Sequence, residues 1–273
     1  MNGKCAKLWT GLAMWLVLAA ILTAGPAYAA DPALTAAQKT AFDRTVAGAD
    51  DAWAAKLTQQ YREFETLLNS GKDWERKIAD LHYRNEEALT AVRKRVQQID
   101  ADKLAKLKQA AEQTKAQHQK LFDLYRTANL QLDAARKLKN KTLTAVLKAR
   151  ADGLKVTVQL AKVEIKAKEE SYQIAKKASA AKAKKVRDTL SAVSPLQIQI
   201  RAAKSALKAP RDSRQALWRT FTQALTKRDA KTAAGMLASV NGVTRQMIDS
   251  QQKMHALENR IAETIRAAEG QLK

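Results

Sequence analysis

The side chains that most often carry catalysis are thinly spread along this sequence. Its histidines are far apart and none belongs to an HExxH zinc pattern: His82, His118 and His255. The adjacent carboxylates of Glu86-Glu87 and Glu169-Glu170 point to different faces of a helix and so cannot share one site. Phosphate loops, nucleophile elbows and dinucleotide fingerprints are absent from the sequence. We therefore expect no enzyme, no metal site and no cofactor.

Lysine and arginine supply the strongest chemical signal, which is attraction to anions. Residues 136–187 contain sixteen Lys or Arg and four carboxylates, a net +12 of the +22 on the whole chain. A helix surface chosen only for solubility could carry as much Glu as Lys and gain ion pairs. The imbalance favours a polyanionic partner, with a merely solvated helix surface as the alternative. The predicted anion-binding residues are Lys162, Lys166, Lys176, Lys177, Lys182, Lys184, Lys185 and Arg187.

The first thirty residues predict export. Lys4 and Lys7 precede an apolar run over residues 8–24, and small residues follow at the position that a signal peptidase requires. We predict cleavage between Ala29 and Ala30, with an uncleaved anchor as the alternative. Cys5, the one cysteine, would leave with the leader, so the mature chain would contain no disulfide. A periplasmic, cell-wall or extracellular location restricts the anionic partner to wall polymers, acidic lipids or polysaccharides.

The elements that would carry these lysines are predicted to be helices. Aromatic residues are only 5% of the chain, and Gly and Pro number 9 and 4, whereas strong helix formers dominate. We expect an all-α fold, an elongated helical bundle or antiparallel coiled coil built on one or two very long helices. Shorter C-terminal helices would fold back on them.

Helix boundaries are predicted from capping residues, Gly and Pro. A first helix over residues 34–69 would start at Asp31-Pro32, pass through Gly48 and end at the turn Asn69-Ser70-Gly71. Because no Gly or Pro follows until Gly153, one helix is expected to start at residue 73 and run for some eighty residues. If Gly153 is only a soft spot, that helix continues to residue 193.

The C-terminal quarter is predicted to contain shorter segments. Breaks are expected at Ser194-Pro195 and Ala209-Pro210, followed by a restart at Asp212-Ser213 and a short connection over residues 227–229. A final helix would then run to Gly270. The predicted domain division is residues 1–29 as signal peptide, 30–193 as the long-helix region and 194–273 as the C-terminal helical segment.

A thin apolar seam at seven-residue intervals marks the second half of the long-helix region. It consists of Val158, Ile165, Tyr172, Ser179, Val186 and Val193. The companion positions include Lys168 and Lys182, so we expect burial to be sparsest near Lys182. In the first half of that region, from residue 73 onward, apolar residues recur at a period close to 3.5 and form an earlier seam. Asn85 lies on this earlier seam, either as a selector of register or as a tolerated polar residue near a helix end. The seams could pair within one chain or between copies.

These observations predict a non-catalytic helical protein of the envelope or exterior that binds anionic surfaces or polymers. In its leader, its Lys-rich long helices and the absence of cysteine from the predicted mature chain, the protein resembles the basic coiled-coil chaperones that escort outer-membrane proteins, and a periplasmic holdase is the alternative. A helical pore-former ranks lower, because the uncharged runs 189–200 and 232–244 are shorter than the roughly twenty residues of a membrane span. No small-molecule substrate and no specific nucleic acid are expected.

Overall fold

The chain folds into helices joined by short turns. The structure is a computed structural model that describes residues 32–272. The helices are α1 (Ala36–Ala47), α2 (Asp51–Gln97), α3 (Ala101–Lys137), α4 (Lys141–Leu190), α5 (Val193–Ala206), α6 (Lys208–Thr226) and α7 (Ala230–Gly270). Residues 32–272 contain no strand, which confirms the all-α prediction. The predicted leader, its cleavage residues Ala29 and Ala30, and the start signal at Asp31 lie outside the described residues.

The first helix boundary predicted from the sequence is wrong. A capping box holds the start of α1, where the backbone N–H of Gln38 donates to the Thr35 hydroxyl at 3.3 Å. The helix ends at Gly48, and Asp50 then opens α2 by accepting from the N–H of Trp53 at 2.9 Å. α2 continues through the predicted turn at residues 69–71. Polar and Gly residues are therefore tolerated inside this helix, where tertiary packing outweighs their low helix propensity.

The single helix predicted over residues 73–193 is instead divided among α2, α3 and α4. Asp100 and Lys139 adopt left-handed backbone conformations, with φ of 54° and 55°, at the two turns. Asn140 caps α4, since its side-chain oxygen accepts from the N–H of Leu143 at 3.0 Å. Neither turn contains the Gly or Pro on which the prediction depended. Gly153 lies inside α4 and does not break it.

The C-terminal boundaries are closer to prediction. α5 begins two residues before Pro195 and α6 begins two residues before Pro210, so each proline occupies a first turn, where its missing N–H costs no hydrogen bond. The restart predicted at residues 212–213 is wrong, because both residues lie inside α6. The connection at residues 227–229 is confirmed, with Arg228 at φ 54°. α7 runs through Asn241, whose side-chain amide donates to the Gln60 carbonyl at 2.9 Å.

Two compact units make up the described chain. Unit 1 contains the described residues up to Asp73 together with Leu207–Asp249. Its core includes Leu57, Leu237 and Val240, which are fully buried. Aromatic rings add to this core, with centroid separations of 4.9 Å for Phe42–Tyr61, 4.8 Å for Phe64–Trp218 and 5.0 Å for Trp218–Phe221. Both α1, through Phe42, and α2, through Leu57 and Phe64, therefore contribute to this core.

Unit 2 contains Trp74–Ala206 and the described residues from Ser250 onward. One apolar core joins four of its helical segments through Leu89, Val92, Ala183, Val186, Leu196, Ile261 and Ile265. The end of α4 is thus anchored in a core. The prediction that burial is sparsest near Lys182 is wrong, because α5 and α7 supply apolar partners that the seam pattern of α4 alone could not reveal.

The rest of unit 2 is an antiparallel hairpin of α3 and α4. α3 has 37 residues, so the hairpin is about 55 Å long at 1.5 Å per residue. Small side chains such as Ala128 and Ala151 pack with Leu132 near its turn. Val158 and Ser179 of the predicted seam are buried, while Ile165 and Tyr172 are half-buried. The Ser179 hydroxyl also donates to the Ile99 carbonyl at 3.1 Å. The seam of α4 therefore pairs within the chain.

Candidate functional site

Seven of the eight predicted anion-binding side chains are exposed on α4. They extend from Lys162 to Arg187, a distance of about 38 Å along a straight helix. The exception is Lys182, which is half-buried and whose Nζ donates to the Leu272 carbonyl at 3.4 Å. A set spread over this length cannot surround one small ligand. It can contact an extended anion at many points.

Few of these charges are neutralised by neighbouring acids. Lys166 lies 3.6 Å from Glu170 and Lys184 lies 2.6 Å from Asp188, each pair one helical turn apart. The Lys176 ammonium lies 6.0 Å from the Tyr172 ring centroid. The charged groups of the other exposed members form no ion pair or hydrogen bond within residues 32–272: Lys162, Lys177, Lys185 and Arg187. Both ion pairs are exposed and hold their lysines only weakly.

The structure adds a residue that the sequence did not indicate. A shallow groove of about 310 Å³ between α3 and α4 places Lys115 beside Lys162 and Lys166, with Phe122 and Ile165 in its wall. Glu169 also lines it. Only the antiparallel alignment of the hairpin brings residue 115 to this point. A seam pattern read along α4 alone contains no signal for it.

The charge is unevenly distributed between the units. Within residues 32–272, unit 2 has 33 Lys and Arg against 17 Asp and Glu, a net +16. Unit 1 has 13 against 9, a net +4. A local excess of this size creates a positive potential that attracts polyanions and is screened by salt.

A buried polar cluster in unit 2 joins α2 to α7. Glu258 is 1% exposed; its Oε1 lies 2.8 Å from His82 Nδ1, and its Oε2 accepts from the Asn85 amide at 2.7 Å. The Asn85 amide also donates to the Glu258 carbonyl at 2.8 Å. The hydrogen bond to Glu258 raises the pKa of His82, and burial opposes this only in part. Asn85 is therefore a paired residue inside α2, about three turns before its end, and its interpretation as a tolerated residue near a helix end is wrong.

The remaining histidines lie at separate places. His118 Nε2 is 2.9 Å from Glu164 on the outside of the hairpin, and the His255 ring packs edge-on against Trp74 with centroids 5.3 Å apart. No group of three or more His, Cys, Asp or Glu side chains in the described part of the chain is arranged to hold a metal ion. The expectations of no metal, no cofactor and no enzyme remain predictions.

Comparison with known proteins gives no assignment. No protein family, no curated protein and no solved structure matches this chain. Among residues 32–272, no helix has an apolar stretch long enough to cross a bilayer.

Proposed function

We propose that this is a non-catalytic protein of the cell envelope or exterior that binds anionic polymers or surfaces through the lysines of α4. The observation that carries the proposal is the exposed row of weakly paired lysines on α4, in a unit of net charge +16. Each contact with an anion would be weak, and their number would supply the affinity. Binding should therefore fall steeply as salt screens the charges.

The test is binding over a salt series to two probes, vesicles containing phosphatidylglycerol and a sulfated polysaccharide. In the α4 variant, six exposed lysines become Gln: Lys162, Lys166, Lys176, Lys177, Lys184 and Lys185. In the control variant, the six lysines of the described part of unit 1 become Gln: Lys39, Lys56, Lys72, Lys208, Lys227 and Lys231. Both variants lose the same charge, so only the position of the charge differs.

We expect the native chain and the control to bind at low salt and to release at high salt, while the α4 variant fails to bind. Equal loss in both variants would assign binding to net charge and overturn the role of α4. Retention that is unchanged at high salt would overturn the electrostatic mechanism altogether. The probe that is bound identifies the class of anion.

The α3/α4 hairpin supports a second candidate, a periplasmic holdase with basic coiled-coil arms. It carries exposed apolar side chains among its lysines, including Leu130 at 65% and Val146 at 62% exposure. Such a surface can bind unfolded chains transiently. Suppression of client aggregation that survives the six changes on α4 would favour this candidate, and absence of any suppression would remove it.

A further inference from the structure

A second apolar stripe runs along α4 on the side opposite to its contact with α3. Its larger members are at least 60% exposed: Val146, Val156, Leu160, Val163 and Ile174. Small residues fill the positions between them, at Ala149, Gly153 and Ala167. From Val146 to Ala167 these residues follow alternating steps of three and four, the spacing of a coiled-coil seam; the next position is the charged Glu170, and Ile174 follows it. α4 thus has one apolar stripe that is buried against α3 and one that faces solvent.

The charges beside this outer stripe differ from those of the rest of unit 2. The charged residues on its two flanks are Arg150, Asp152, Glu164 and Lys166, whose net charge is zero in a unit of net +16. The other flanking positions are uncharged and include Thr157, Gln159 and Ser171. A surface intended only for polyanions would not require this local balance. It is expected where a helix of mixed charge packs alongside.

We propose that the occupant of the outer stripe is the same stripe of a second copy of this chain, packed antiparallel. The two-fold axis would pass beside residue 158, so that Leu160 faces Val156 of the second copy and Val163 faces Gly153. In this register Lys166 lies against Asp152 of the second copy, and Glu164 lies against Arg150. Symmetry repeats both pairs, so all eight flanking charges meet an opposite charge.

The alternative parallel alignment lacks this complementarity. In a parallel coiled coil, a flanking residue faces the residue five positions further along the other helix. Asp152 would then face Thr157, and Lys166 would face Ser171. No opposite charges would meet. The charge pattern therefore selects the antiparallel register as well as the partner.

The native residues leave these flanks accessible. Arg150 and Asp152 form no ion pair within residues 32–272. Glu164 contacts His118 through Oε2, and Lys166 contacts Glu170 one turn away in an exposed pair. Exposed i,i+4 pairs are weak, so this pair does not prevent Lys166 from changing partners. Of the eight predicted anion-binding residues, only Lys166 takes part, and the dimer does not depend on the proposed function.

Charge reversal tests the register directly. Asp152→Lys and Lys166→Asp are made as separate variants of the full chain, and sedimentation velocity measures self-association of each variant and of their equimolar mixture. The native chain should be a dimer. Each variant alone should be monomeric, since it places like charges together twice. The mixture should form a heterodimer, because the lysines at positions 152 and 166 of one variant then face the aspartates at positions 166 and 152 of the other.

A crosslinking pair tests the direction of packing. In a chain with Cys5→Ser, Gln159→Cys lies beside the axis and should crosslink to itself with a short bismaleimide. Gln173→Cys, on the same flank, should not crosslink, because the two copies of residue 173 would lie about 45 Å apart. Crosslinking at residue 173 would overturn the antiparallel register.

The apolar contact is tested by Leu160→Lys, with Ile198→Lys on α5 as the matched control. Both residues are exposed, at 67% and 55%, so neither change disturbs a core. Only Leu160→Lys should abolish the dimer. A native chain that is monomeric or trimeric, a mixture that stays monomeric, or a stripe that binds unfolded clients in place of a second copy would overturn the proposal.

Discussion

At the scale of single residues, the buried carboxylate of Glu258 has the clearest effect on how helices pack. Burial of an unpaired carboxylate is very costly, and here two side chains of α2 offset that cost by contacting both oxygens. Asn85 also donates to the Glu258 backbone carbonyl, so the contact depends on where the backbone of α7 lies as well as on the carboxylate. The cluster thereby favours one register of α2 against α7 within unit 2.

The first prediction concerns the pH dependence of stability. The hydrogen bond to Glu258 raises the pKa of His82, an effect that Glu86 supports and Lys204 opposes. A raised folded-state pKa means that protonated His82 stabilises the fold below its unfolded value of about 6.5, and that this contribution is lost as pH rises through the folded pKa. In urea unfolding, the free-energy difference between the native chain and His82→Gln should therefore shrink across that window. Parallel pH curves would contradict this.

The second prediction concerns Asn85. Asn85→Ala removes both hydrogen bonds to Glu258 and leaves the carboxylate with His82 alone. We expect the free energy of unfolding to fall by about 1.5–3 kcal/mol, the cost of losing hydrogen bonds to a buried charged group. Asn129→Ala is the control, since the Asn129 amide only donates to the Tyr125 carbonyl in its own helix, at 2.8 Å. Equal losses of unfolding free energy in both variants would argue against a stabilising role for the Glu258 cluster.

Sequence reasoning could reach only half of this cluster. The seven-residue period places Asn85 on a seam, which its burial confirms. The partner, Glu258, lies 173 residues away and has no distinguishing neighbours. Periodicity identifies which face of a helix is buried, but it contains no information about which other helix covers that face. For the same reason Lys115 was missed in the candidate surface.

At the scale of elements, helix type was predictable and helix ends were not. Composition correctly predicted long helices, and α2, α3, α4 and α7 contain 47, 37, 50 and 41 residues. The missed turns contain Asp100 and Lys139, which adopt conformations that usually favour Gly. Near Lys139, packing across the hairpin, including Leu132 against Ala151, compensates for that strain. Rules based on Gly and Pro cannot detect a turn that tertiary contacts maintain.

The third prediction tests this strain. Lys139→Gly removes a Cβ from a residue with φ 55° and should stabilise the hairpin by about 1 kcal/mol. Lys148→Gly, at an exposed position inside α4, should destabilise it by about the same amount, because Gly is a poor helix former. Amide hydrogen exchange in α3 and α4 measures both effects. Slower exchange in Lys139→Gly and faster exchange in Lys148→Gly are expected, and faster exchange in Lys139→Gly would contradict strain at Lys139.

At the scale of the molecule, charge is the property that distinguishes the two units. The sequence shows the excess, but the assignment of +16 to unit 2 and +4 to unit 1 requires the fold, since each unit combines separate parts of the chain. Charge of one sign repels itself in the folded state and attracts polyanions from outside. Salt screens both effects. It should therefore stabilise the free protein under the conditions that weaken its proposed binding.

The fourth prediction separates these two consequences. Raising ionic strength from about 0.01 M to 0.15 M shortens the screening length from about 30 Å to 8 Å, which is well below the length of the α3/α4 hairpin. Amide exchange in the free protein should slow in α3 and α4 and change less in α1 and α6, because repulsion is relieved mainly in unit 2. The variant with six Gln residues on α4 should show a smaller effect in the hairpin. If salt slows exchange equally in both units, or accelerates it in the hairpin, the net charge of unit 2 imposes no cost on its fold.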